Sequence, residues 1–144
     1  MMTGYLICYE NEKNIYRHEC HHRCFNAERR LFVICKSFTL AKNENTTLFV
    51  SVLTMANLAY ILRKSLKGDI FYAEMRKLSC LVNVADTTNN HFLSALDLQA
   101  KDFEDALQYY CAISNECDII VTRNKKDFAF SSISVLTPEE LLHH

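Results

Sequence analysis

Between Lys101 and Phe128 the chain reads KDFEDALQYYCAISNECDIIVTRNKKDF, and this stretch narrows the possible folds more than any other. Its first half has the period of a helix opening at Asp102 and running through Tyr110 to Ser114, with acids in the first turn, where the helix dipole favours negative charge. In the second half, Ile119 to Thr122 is a continuous apolar run suited to a parallel strand covered on both faces. A helix feeding directly into such a strand belongs to an α/β sheet. Asp102, Glu104 and Asp105 stand one helix and one strand away from Asp127, a spacing that can bring carboxylates together at one sheet edge. Converging carboxylates suit hard divalent cations, and hence metal-assisted chemistry on phosphate.

The flanking sequence continues the alternation. Leu48 to Val52 is β-rich, and Thr54 is placed to cap a helix over MANLAYILRKSL, with Leu58, Ile61 and Leu62 on one face and Gly68 at its end. Ile70 to Leu81 repeats the helical period, and Val82 to Val84 reads as a second strand. Asn89 or Asn90 caps a short helix through Leu98. Ile133 to Leu136 is a further buried strand, and Thr137-Pro138-Glu139-Glu140 supplies a cap, an N1 proline and an acidic first turn for a last helix. The expected architecture is an α/β sandwich with a mostly parallel sheet flanked by helices.

At 144 residues, 49% of them hydrophobic, the chain suits a single domain with a substantial core. A formal charge of -1 provides no broad basic face, so any nucleic acid must be held locally. Apolar runs such as DIIV are far too short to span a bilayer, and Met1 to Glu10 lacks the basic start and long apolar core of a signal peptide, so a cytoplasmic location is expected. Seven cysteines, an odd number without scaffold-like spacing, read as reduced thiols.

Through DFEDALQ, IIVTRN, KDF and the closing ISVLTPEEL, the C-terminal half resembles PIN domains, the nuclease fold of many VapC-type bacterial toxins. The resemblance implies a Mg²⁺- or Mn²⁺-dependent endoribonuclease, an RNA substrate, a cognate antitoxin and a homodimer. It places Asp105 on a metal-ligating family acid. Asp127 stands as the second catalytic and metal-ligating candidate, with Asn124, where many relatives carry an acid, acting through a held water. Asp102 is a weaker metal candidate and fits better as the helix cap, with Glu104 exposed beside it. Thr122 and Arg123 are candidates to position a phosphate. Read from the residues alone, first-turn acids also serve the dipole, and Thr122 and Arg123 also serve a turn.

Two family carboxylates are missing. Asn57 stands where the family has a Glu on the helix after the second strand, and an amide supplies no charge. The family's first strand should be central and end in Asp-Thr-Asn, yet residues 1–46 contain no such motif. They instead crowd His, Cys and Arg in RHECHHRCFNAERR and leave Tyr5 to Cys8 and Leu31 to Cys35 as isolated strand candidates. Tyr5 to Cys8 is the available substitute for the missing strand, which would bring Glu10 near the site. His18, Cys20, His21, His22 and Cys24, with Cys8 or Cys35, have zinc-binding residue types, but their spacing matches no ordinary paired-ligand pattern. A noncatalytic PIN-fold interaction protein is a third reading, needing the fold without the acids.

The genetic code offers a reason for the misfit. Reading the codons of Asn11 to Arg23 from their second nucleotide permits M-K-K-I-Y-I-D-T-N-V-I-I-D, a start followed by a PIN first strand. His18 can yield only Thr or Met there, Glu19 only Asn or Ser, and Cys20 only Val or Ala, and each choice includes the family letter. Residues 1–46 are accordingly read as a frame-shifted segment and residues 47–144 as the PIN-like domain. The gene is expected to carry an ATG overlapping the Asn11 codon and an open frame joining the present one before Leu48. Sequencing it checks this, and stops or unrelated residues in that frame would refute the frame shift.

Overall fold

The computed structural model describes the backbone of residues 3–7 and all of residues 46–141. Its described strands are β1 (Thr3–Ile7), β2 (Thr46–Ser51), β3 (Asn83–Ala85), β4 (Ile119–Val121) and β5 (Ser134–Leu136). They form one sheet in the order β3-β2-β1-β4-β5, and every pairing is parallel. The central place is held by β1, with Tyr5 in register with Leu48 on one side and Ile119 on the other. The zinc candidates, Glu10 and Leu31 to Cys35 lie outside the described residues.

Helices connect the strands: α1 (Val52–Leu62), α2 (Gly68–Ser79), α3 (Asn89–Leu98), α4 (Phe103–Ser114) and α5 (Pro138–Leu141), with a 3-10 turn at Lys125–Phe128. Alternation along each strand divides the core between two faces. Phe49, Ala85, Ile120 and Val135 pack with Cys111 and Ala112 of α4 and with Phe128. Leu48, Val50, Ile119, Val121 and Leu136 pack on the other side with Met55 of α1 and Leu141 of α5. β4 therefore has no polar position, which is why its sequence is an unbroken apolar run. Leu58 and Leu62 close a smaller cluster with Phe71 between α1 and α2.

Three helix boundaries differ from expectation. Ser51, not Thr54, caps α1: the Ser51 hydroxyl accepts from the Thr54 amide at 3.0 Å, which places Thr54 inside the first turn. Gly68 begins α2 instead of ending α1, at φ +56, a left-handed corner that favours glycine. Thr88, not Asn89 or Asn90, caps α3 in a box closed by the buried His91. Asp102 caps α4 as expected, accepting from the Glu104 amide at 2.9 Å. Thr137 and Glu140 bond each other's backbone amides at the start of α5. Gln99 and Glu116, at φ 50 and 53, form left-handed corners on either side of α4.

Burial pushes the Cys111 thiol up to about 11, with the Asp86 charge adding to it. It pushes Cys117 up to about 12, helped by Cys111 and Asp118. A thiol whose folded pKa lies above its ordinary 9.0 favours the folded state fully below pH 9. That advantage is lost as the unfolded chain ionises between pH 9 and the raised values. The melting temperature is therefore expected to fall across that alkaline window, and Cys117→Ala should flatten the fall when melting is followed against pH.

Candidate active site

The chain winds outward from β1 through β2 to β3, then crosses to the other side of β1 to lay down β4 and β5. Winding reverses beside β1, and sheets of this type hold ligands outside the C-terminal strand ends at such a reversal. The loop leaving β4 begins there. Thr122 is buried, its amide donates to the Leu136 carbonyl at 2.9 Å, and its hydroxyl accepts from the Asn124 amide at 3.2 Å. Asn124 in turn donates its side-chain amide to the Asp127 carboxylate. Arg123 between them is exposed. Thr122 thus orders the turn, and Asn124 orients Asp127 directly.

The other candidates come from α4. Asp105, in its first turn, is only 6% exposed. Glu104 is half-buried, contrary to the exposed position expected for it, because it faces α1: the Asn57 amide donates to its carboxylate at 2.6 Å. One turn along, the Gln108 side-chain amide donates to the Thr54 hydroxyl at 2.8 Å. Farther still, the Cys111 thiol lies 3.6 Å from the Asp86 carbonyl, just beyond β3. Glu104, Gln108 and Cys111 are spaced by four and three residues and so share one stripe of the helix. Since α1 starts directly from the end of β2, this stripe fixes the first turns of α4 near the C-terminal strand edge.

A parallel sheet with its reversal at β1 and an acid-bearing helix stitched across its C-terminal edge is the setting that the sequence resemblance requires. Residues 33–126 match the family described as PIN domain. The chain belongs to the PIN-domain family. Among solved structures, this PIN domain is similar to VapBC2 from Rickettsia felis bound to a DNA fragment from its promoter. That match has 18% identity and a TM-score of 0.60, covering 94% of this chain and 98% of the other. DNA-bound VapBC from Salmonella typhimurium matches at 17% identity and a TM-score of 0.60, covering 96% and 99%. PAE2754 from Pyrobaculum aerophilum matches at 15% and 0.53, covering 98% and 88%. At these identities the structural likenesses carry the fold. No match is found among curated proteins.

Sequence reasoning missed Ser51, Glu104 and Gln108. The i, i+4 spacing of Glu104 and Gln108 was the available signal, but their partners on α1 are 47 and 54 residues away. Asp105, Glu104, Asp127, Asn57 and Gln108 offer oxygen donors, the kind that fits Mg²⁺ or Mn²⁺ and not zinc. Among the described residues, no three His, Cys, Asp or Glu side chains gather into one metal-holding group. No helix among them is long and apolar enough to cross a membrane.

Gln108 is 1% exposed, and its carbonyl Oε1 has no hydrogen-bond partner, so the Thr54 contact carries the polar pairing of its buried amide. Thr54→Val keeps the shape and removes that partner. The variant is expected to lose roughly 1–3 kcal/mol of stability, the cost of stranding a buried polar group, measurable as a lowered urea midpoint with unchanged slope.

Proposed function

We propose that this VapC-like PIN protein carries the remnant of a Mg²⁺- or Mn²⁺-dependent endoribonuclease site, attenuated in the present chain. The observation that carries the proposal is the burial of Asp105 at the sheet's C-terminal edge, since burying a carboxylate is costly and such acids cluster at functional sites. Asp105 and Asp127 are the metal ligands in this reading, with Asn124 orienting Asp127 and Asp102 remaining chiefly a cap. A bound cation would supply an activated water and stabilise the leaving oxygen. Arg123, exposed beside the loop, is positioned to meet an RNA phosphate, while Thr122 holds that loop's shape. Asn57 supplies no charge of its own, and the family's Asp-Thr-Asn strand is absent from the sequence, so the cation is held by fewer carboxylates than the family site provides.

A second reading, a noncatalytic interaction protein, is favoured by one observation. Phe92, Leu93 and Leu96 of α3 are 45%, 49% and 48% exposed, and Phe92 meets Phe103 edge-on at 5.5 Å. An apolar stripe of this kind suits a protein partner, such as a cognate antitoxin or a second copy of the chain. Antitoxin binding without RNA cleavage would favour it over the nuclease.

The chain is expected to show little RNA cleavage with Mg²⁺ or Mn²⁺, and restoring the shadow-frame strand should raise it. In the restored protein, Asp105→Asn should abolish cleavage while circular dichroism stays unchanged. Strong metal-dependent cleavage by the unrestored chain, indifferent to Asp105→Asn, would place the chemistry elsewhere.

A further inference from the structure

Asn57 and Glu104 together suggest how the shortage of charge on α1 is met. The family's helix after the second strand offers a carboxylate, and here its place holds an amide. That amide grips a carboxylate from the facing helix, Nδ2 to Oε1 at 2.6 Å, so a negative group is presented beside position 57 even though α1 does not supply it. A neutral amide orients the carboxylate without cancelling its formal charge. Placement in the first turn of α4 also favours a negative group there, through the helix dipole.

A second observation points to a ligand at the same junction. Gln108 lies one turn along from Glu104, and its amide nitrogen is fixed on Thr54. Its Oε1 therefore sits between α1 and α4, buried and without a donor. Buried carbonyl oxygens are seldom left unpaired, and a cation or a cation-bound water is the kind of partner that would satisfy this one. Glu104 and Gln108 thus present a charged and a neutral oxygen from one stripe of one helix.

We infer that Glu104 is a metal-holding residue of the site, replacing across the α1–α4 contact the carboxylate that position 57 lacks, with Gln108 Oε1 completing the oxygen set. This rests on the metal-dependent reading of the site. It differs from a purely structural role for Glu104 as a strap between helices: Glu104→Gln keeps the length and can still bond Asn57, but removes the charge.

The test is Mn²⁺ binding by the full chain, followed through loss of the free-ion electron paramagnetic resonance signal up to millimolar metal. Thermal melting in metal-free buffer confirms that each variant folds. Glu104→Gln should weaken binding roughly ten- to a hundredfold. The double change Asn57→Glu with Glu104→Gln, which returns the carboxylate to α1, should recover most of that loss. Unchanged Mn²⁺ affinity in Glu104→Gln, while Asp105→Asn loses it, would overturn the inference and leave the metal site standing. Failure of the double change to recover binding would also overturn it. Absence of Mn²⁺ binding by the parent chain would remove the metal-dependent reading and this inference together.

Discussion

The fold depends on the ladder that β1 makes with β2 on one side and β4 on the other. A parallel sheet covered on both faces has no solvent to satisfy the amides of an interrupted middle strand. Without those five residues the sheet would divide into β2 with β3 and β4 with β5, two pairs with nothing to hold them in one plane. The ladder sets backbone partners and leaves side-chain identity comparatively free. A segment lacking the family motif can therefore complete the architecture without supplying the chemistry that normally accompanies it.

The contact between α1 and α4 joins the folding and chemical problems. Its polar groups are buried, so they must pair, and the available pairs are those that orient carboxylates. Asn57 with Glu104 and Thr54 with Gln108 serve as packing and as arrangement of charge at once. This is economical in side chains and makes the region sensitive, because removing one partner leaves a polar group stranded as well as altering the site. The 3-10 turn is held differently: Lys125 reaches Glu140 at 2.8 Å on the surface, where solvent softens the loss of either partner.

Much of the fold was legible because local signals agreed with the tertiary outcome. Ile119 to Val121 is apolar without a break because both faces are covered, and Asp102 caps because no competing residue lies beside it. Ser51 and Thr54 are both good caps three residues apart, and the choice fell to the point where the β2 ladder ends, which local composition does not encode. Gly68 was misplaced because a left-handed glycine suits either the exit from one helix or the entry to the next. At the site, Asp105 and Asp127 stood out as acids near a strand. Glu104 and Gln108 acquire their meaning only from α1, half a domain away in sequence.

The two left-handed corners at Gln99 and Glu116 enclose α4 with little slack. A helix turns about 100° per residue. Inserting or deleting one residue between Gln99 and Phe103 would rotate the stripe of Glu104, Gln108 and Cys111 off α1 while leaving the helix itself intact. The protein would keep its secondary structure and lose the side-chain alignment on which charge at the sheet edge depends. Phase matters here at the level of helix rotation as it does in the reading of codons, and tolerance to length change in this connection should be far lower than its surface position suggests.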